Sequence, residues 1–391
     1  MQSQLSEELN SLSILFLVTE DWYFCLHRLP IARAARDAGF KVMVATQVKD
    51  HAQLIEREGF QLIPMKWTRR SMNPYRALSE VHQIAGIYRK YKPDLVHQIA
   101  LKPSLYGSIA GIVTGVSPIV NNLAGLGQAF TSGGVFAALV RSGLVNAFRL
   151  LFRRAGTCTI VENSDDWRFL VTRVGLDKRT VALIRGIGVD VDLFQPRPEN
   201  AQQTPTVTLV SRMLWPKGVG ELVEATRILR GRGRQIKVQL VGIPDTSSRV
   251  AIQQEQLLKW QSEGIVEWLG YREDVPELWR HSHIAVLPSY YREGIPRSLL
   301  EAAASGRAIV TTDMPGCREI VRNGYNGLLV PPRDPVAIAD ALEQLLDDAE
   351  LRQRMGRAGR ELVENEFAEE HVVAQTLSVY RKLLDERQRA A

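Results

Sequence analysis

Cysteine is scarce in this chain. Its three residues, Cys25, Cys158 and Cys317, stand at no spacing that suits a metal site or a redox pair. Disulfide-stapled and zinc-ribbon classes are therefore excluded, and a reducing compartment fits. There is no run of about 18 consecutive apolar residues, so no membrane-spanning helix is predicted. The N-terminal "MQSQLSEELNSLSILFLV" starts polar and acidic and has only a short apolar run, which does not make a secretory signal. Charge of either sign is missing between Lys102 and Arg141, but Gly, Ser, Asn and Pro interrupt that stretch. Such interruptions favour buried strands, turns and helix ends over a span. The pattern G-x-x-x-x-G-K-[ST] is absent, and "GLGQAF" does not complete G-x-G-x-x-G. These absences argue against a P-loop hydrolase and a dinucleotide-dependent dehydrogenase. No finger, RNA-binding sheet signature or dense Lys/Arg run points to nucleic acid, and no His/Asp cluster points to a metal.

What is present describes a globular α/β protein. The 391 residues exceed one ordinary core, so two domains are expected. The net charge of +6 is uneven: residues 1–195 hold 23 basic against 16 acidic side chains, and the remainder 26 against 27. A basic first half predicts an anionic partner, and an anionic membrane surface is favoured over nucleic acid. Short apolar runs ("SILFLV", "KVMVAT", "DLVHQI", "SPIVNN", "TCTIVEN", "VALIRG") alternate with helical stretches, the first of them "HRLPIARAARDAGF". Strands alternating with helices imply a parallel sheet covered on both faces. After the polar, proline-rich "QPRPENAQQTP" the pattern restarts with "TVTLVSR", "KVQLVG", "IVEWLG", "IAVLPS" and "AIVTTD", with helices at about 250–262, 274–281 and 296–305.

In doubly wound sheets ligands bind beyond the carboxyl ends of the strands. That is where "SRMLWPKG", "VGIPD", "LGYRED" and "PSYYREGIP" fall. Arg212 and Lys217, beside a predicted helix N-terminus, suit a diphosphate, although two surface cations near a turn would look the same. Glu293 and Glu301 straddle a Gly-Ile-Pro. Pro296 suits the first helical turn, which puts Glu293 in the loop and Glu301 on the helix. A loop carboxylate could accept from ligand hydroxyls, and one on the helix from the two adjacent hydroxyls of a ribose. On spacing alone, a solvated helix residue and a charge near a helix terminus explain the pair equally well.

The stretches "SRMLWPKGVGELVEA", "LVGIP" and "LGYREDVPELWRHSHIAVLPSYYREGIPRSLLEAAASGRAIVTTDMPGCREIVRNGYNGLLVPPRDP" resemble the second domain of family 4 glycosyltransferases, the retaining group with the GT-B fold. The glutamates match that family's E-x7-E element. The likeness extends more loosely through "DLVHQIALKPSLYGSIAG", "IVENSDDW" and "GIGVDVDLFQP". It implies two Rossmann-like domains facing across a cleft. These are an acceptor-binding domain at 1–195, a linker at 196–205, a nucleotide-sugar domain at 206–370 and a helix at 371–391 packing back on the first domain. By the same resemblance Arg212 and Lys217 bind the donor's diphosphate, Glu301 its ribose, and Glu293 the transferred sugar. The backbone of Gly294, Ile295, Pro296 and Arg297 approaches sugar and phosphate, while Gly270, Tyr271 and Arg272 border the base. No metal and no cofactor is implied beyond the nucleotide sugar as co-substrate.

The first domain departs from the family pattern. "VTEDWYFCLHR" stands where many members have a Gly-Gly turn, and Ala124 where many have a histidine. His97 and Lys102 remain acceptor-side candidates, Lys102 through likeness to the subgroup that extends polyprenyl-diphosphate-linked sugars. "VFAALVRSGLVNAFRLLFRRAG" places Phe136, Leu139, Val140, Leu144, Phe148, Leu151 and Phe152 at helical spacing, with Arg141, Arg149, Arg153 and Arg154 meeting no acidic residue. A basic amphipathic helix suits an anionic interface, and a core-packed helix with solvated arginines is its rival. The expected activity is hexosyl transfer from a nucleotide sugar, UDP-linked, to an undecaprenyl-diphosphate-linked glycan in bacterial surface-polysaccharide assembly. The expected location is cytoplasmic, peripheral on the inner face of the cytoplasmic membrane. An epimerase of the same fold and a non-catalytic binding subunit stay open as alternatives.

Overall fold

The computed structural model describes residues 12–67, 73–126, 135–199, 204–246 and 248–390. The chain forms two compact units. One runs to Ile187 and includes Glu370 onward, and the other is Gly188–Glu369.

The first unit is built on seven parallel strands: β1 Ser13–Glu20, β2 Lys41–Gln47, β3 Gln61–Pro64, β4 Leu95–Ile99, β5 Ile119–Leu123, β6 Thr157–Val161 and β7 Val181–Leu183. Their order is β3-β2-β1-β4-β5-β6-β7. The run in β1 is continuously apolar because both faces are covered. Ile14, Phe16 and Val18 pack with Phe24, Ile31 and Ala35 on one side, while Leu15 and Leu17 pack with Ile84, Ala85 and Tyr88 on the other. The expected helix over "HRLPIARAARDAGF" is Leu29–Asp37, and a further short helix that the sequence did not reveal, Asp21–His27, precedes it, the two separated at Arg28. Pro30 starts the second one, since the first helical turn needs no N–H from it. The C-terminal helix Glu369–Ala390 returns to this unit, burying Val372, Tyr380, Leu383 and Leu384 in its core.

The second unit has six strands: β8 Thr206–Val210, β9 Lys237–Val241, β10 Glu267–Gly270, β11 Ile284–Leu287, β12 Ala308–Thr312 and β13 Gly327–Val330. They are parallel, in the order β10-β9-β8-β11-β12-β13. Composition put the division of the chain at the proline-rich 196–205, yet residues 188–199 belong with this unit. Val189 exchanges backbone hydrogen bonds with Phe367 and Glu369, each 3.0 Å, and Phe194 lies in the core. Apolar anchoring of Val189 and Phe194 outweighs the linker-like composition around them.

Each sheet reverses its winding once, between β1 and β4 in the first unit and between β8 and β11 in the second. At such a reversal the flanking loops diverge to opposite faces and leave a crevice where ligands bind.

Candidate active site

In the second unit that crevice is bordered by the loops leaving β8 and β11. The first loop tightens into a single turn, Trp215–Lys217, and Gly218 then leads into the helix Val219–Gly231. Gly218 has φ +78°, and a Cβ there would lie 2.1 Å from the Pro288 carbonyl oxygen. Glycine is required on both counts. The two loops are stitched together: the Tyr290 N–H donates to the Pro216 carbonyl at 3.0 Å, and the Ser289 hydroxyl donates to it at 3.2 Å. This closeness brings Lys217 Nζ onto Glu293 Oε2 as a pair only 13% exposed on each side. The Ser289 hydroxyl donates to the other Glu293 oxygen at 2.7 Å.

Glu301 lies on the helix Arg297–Ala304 that follows the Glu293 loop. Pro296 is the residue that caps this helix, one position earlier than the first-turn place expected for it. Its carbonyl accepts from Leu299 and Leu300. Glu301 is no solvated helix residue, being 6% exposed. Burial pushes its carboxyl above the ordinary glutamate value, with Arg297 acting in the opposite direction; Arg297 Nε donates to Glu301 Oε1 at 2.7 Å. Gly294, Ile295 and Pro296 are buried. The loop that carries them is braced by Gly316, at φ +85°, where a Cβ would fall 1.6 Å from the Gly294 carbonyl oxygen.

Arg212 lies in the same loop as Lys217 but turns to another partner. Its Nη1 donates to Asp245 in the loop after β9 at 2.8 Å, and the guanidinium remains exposed. That loop is held close because Gly242 packs on the Ser211 carbonyl, which a Cβ would approach to 1.9 Å. Gly270 ends β10, the edge strand beyond β9, and its carbonyl accepts from the Gly242 N–H at 2.7 Å. Tyr271 is exposed. Arg272 is tied to Asp274 on the surface, and this arginine holds the Asp274 carboxyl below its ordinary value. The structure therefore gathers Lys217, Glu293 and Ser289 directly, while Glu301 pairs with Arg297 on the helix that follows.

Sequence reading missed Asp245, Ser289 and Arg333. Arg333 takes a left-handed φ of +61°, and its guanidinium carbon lies 4.4 Å from the Tyr290 ring centre. The first two were legible only as members of strand-end loops, because their partners are distant in the chain.

The first-unit candidates are placed differently. His97, on β4, is 1% exposed. Its Nδ1 shares a hydrogen bond with the Tyr380 hydroxyl at 2.5 Å. Burial, with the nearby Arg28, drives its pKa well below the ordinary histidine value. This places the ring within the core of the first unit, with Nε2 buried and without a hydrogen-bond partner. Lys102 pairs with Glu80 at 2.6 Å, and its Nζ stands 5.2 Å from the Trp67 and Tyr106 ring centres. Among the described residues no helix is long and apolar enough to cross a membrane.

Two family descriptions match the chain: Glycosyl transferases group 1 over residues 191–362, and Glycosyl transferase 4-like over residues 13–157. The chain belongs to glycosyltransferase family 4. Its two parallel-sheet units are those of the GT-B fold. Over 371 residues this glycosyltransferase is 28% identical to the N,N'-diacetylbacillosaminyl-diphospho-undecaprenol alpha-1,3-N-acetylgalactosaminyltransferase of Campylobacter jejuni, covering 92% of this chain and 94% of the relative. A glycosyltransferase structure from Rickettsia africae superposes with a TM-score of 0.77 at 20% identity, covering 96% of this chain and 99% of the other. The Anabaena protein HepE, solved with UDP and glucose, superposes with a TM-score of 0.74 at 19% identity, covering 94% and 99%.

Proposed function

We propose that this glycosyltransferase moves a hexosyl group, with retention, from a UDP-sugar to a polyprenyl-diphosphate-linked glycan in bacterial surface-polysaccharide assembly. The observation that carries this reading is the pairing of Lys217 with Glu293 across the β8/β11 crevice, with Glu301 buried on the helix that follows. Lys217 and Arg212, beside the N-terminus of Val219–Gly231, hold the diphosphate and take up the charge that develops as it leaves. Glu301 accepts from the ribose hydroxyls and Glu293 from the transferred sugar. The backbone from Gly294 to Arg297 lies along sugar and phosphate, and Gly270, Tyr271 and Arg272 border the base. The sugar's bond to the diphosphate breaks while the acceptor oxygen bonds to the same carbon on the same face. The acceptor's proton passes to a phosphate oxygen of the donor. With N–H donors of Lys217 and Arg212 and a helix terminus to stabilise the leaving group, the reading requires no metal and no cofactor.

The lipid-linked acceptor is supported by the Campylobacter relative, whose name specifies a diphospho-undecaprenol substrate. An acceptor of that kind stays in the bilayer, so the protein works from the inner face of the cytoplasmic membrane as a peripheral partner of its anionic surface. UDP, which HepE holds, is the nucleotide to test first. The decisive experiment screens nucleotide sugars against membrane extract and weighs the lipid product by mass spectrometry. Lys217→Ala should lower kcat/KM by about 2–4 kcal/mol of transition-state stabilisation, comparable with loss of one oxyanion donor. Near-normal turnover in that variant would remove Lys217 from the site. Acceptor-independent epimerisation of the sugar would make the protein an isomerase instead.

A further inference from the structure

The β1/β4 reversal of the first unit offers a second crevice, and none of the donor residues above belongs to it. The chain leaves β1 there through Glu20, Asp21, Trp22 and Tyr23. Asp21 is fully buried. Its carboxylate accepts from the backbone N–H groups of Trp22 at 2.8 Å, Lys49 at 2.7 Å and His51 at 3.0 Å. Asp21 thus pins the turn after β1 to the turn after β2. Its neighbour Tyr23 packs in part against the apolar core of this unit.

Trp22, Tyr23 and His27 stand half-buried with their rings angled to one another. The ring centres lie 5.7 Å apart for Trp22 and Tyr23, 4.4 Å for Tyr23 and His27, and 6.4 Å for Trp22 and His27. One carboxylate oxygen of the buried Glu20 accepts from the Trp22 indole at 2.9 Å, and the other from Lys49 Nζ at 3.1 Å. An aromatic corner therefore carries a charged rim with both a donor and an acceptor. Across the reversal, Ala100 closes β4 at φ +79° without being glycine. Backbone strain of this kind is concentrated at functional sites.

We propose that this corner seats the terminal sugar ring of the acceptor glycan, with Trp22 and Tyr23 against its C–H face and the Glu20–Lys49 rim on its hydroxyl or N-acetyl groups. The assignment rests on reading the chain as a transferase onto a glycan. A pyranose has the matching anatomy, apolar on its face and polar around its edge. A bare lipid chain would gain nothing from the polar Glu20–Lys49 rim. A phosphate in the same place would meet the Glu20 carboxylate.

The test uses the full chain and calorimetric titration without donor. The probe is farnesyl-diphosphate-linked N,N'-diacetylbacillosamine, with farnesyl diphosphate and UDP titrated separately. Trp22→Ala should weaken the glycan probe about tenfold, leave farnesyl diphosphate and UDP unchanged, and be largely rescued by Trp22→Phe. Unchanged probe affinity in both Trp22→Ala and Tyr23→Ala would overturn the proposal. So would a Trp22→Ala protein that loses UDP as well, melts at lower temperature and is not rescued by phenylalanine, because the ring would then be structural. Wild-type protein that binds UDP but not the glycan probe would sink the corner and spare the donor reading. The opposite result would sink the donor reading and spare the corner.

Discussion

Lys217 and Glu293 neutralise each other, as do Arg297 and Glu301, so these four side chains bring little net charge to the proposed donor site. Lys217 commits one of its three N–H donors to Glu293, which leaves the ammonium able to bind an anion from the same place. The two glutamates differ in burial, and their kinetic roles should differ with it. Glu301→Gln should raise the donor KM and spare kcat, since a ribose contact is equally strong in ground and transition states. Glu293→Gln should lower kcat, since its contact lies near the charge that develops. Steady-state kinetics showing the reverse split would exchange or remove these roles. Burial also raises the Glu301 carboxyl above 4.5, so protonation sets in at higher pH than for an ordinary glutamate. The donor KM should therefore climb on mild acidification in the wild type and stay flat in Glu301→Gln.

The helix Val135–Phe152 shows what the sequence could and could not reveal at the level of an element. Its periodicity was legible, but its surroundings were not. Phe148, Leu151 and Phe152 pack in a core with Leu170 and Val174, and the side chain of Phe136 lies outside the described residues. Arg149 and Arg153 have partners that no charge count could show, because the partners are carbonyls. Arg149 donates to Val174 at 3.0 Å and Arg173 at 2.9 Å, and Arg153 to Gly175 at 2.6 Å. Strands were read wherever a parallel sheet buries both faces, as in "SILFLV". The short edge strands β3 and β13 were missed, since "QLIP" has an exposed end and "GLLV" owes its place to a glycine packed against Ile309. The strand-end loops of the site were placed by topology, whereas the pairing of Lys217 with Glu293 spans 76 residues and no local pattern encodes it. Leu139 and Leu150, 67% and 75% exposed, are eleven residues apart and so share one outward line of the helix. Changing both to Ser should weaken binding to phosphatidylglycerol-rich vesicles about tenfold without lowering the melting temperature. Vesicle binding equal to wild type would take this helix out of the membrane reading. Arg149 and Arg153 are poor probes of the same question, since replacing them opens the turn they close.

Across the whole molecule the chain crosses between its units twice, near Gly188 and near Glu369, so the last helix completes the unit that the N-terminal strands begin. That closure is polar as well as apolar. Tyr380 brings its hydroxyl to His97 beneath Phe16, while Arg28, fully buried nearby, is neutralised by Glu162 at 3.0 Å. A histidine ring so enclosed resists protonation, and its folded pKa lies well below 6.5. The unfolded chain has no such restraint. Below pH 6.5 it takes a proton on this ring that the folded unit refuses, so stability must fall as pH falls through the window between the two values. At full effect one extra proton on the unfolded side costs about 1.4 kcal/mol per pH unit. Above 6.5 neither state is protonated and the term vanishes. His97→Gln keeps a neutral hydrogen-bonding partner for Tyr380 and abolishes the titration. Urea unfolding at pH 7.5 and pH 5.5 should therefore show a smaller acid loss in His97→Gln than in the wild type, by about 1 kcal/mol over that interval. An identical acid loss in both proteins would mean that this ring titrates freely, and that the C-terminal helix does not seal it.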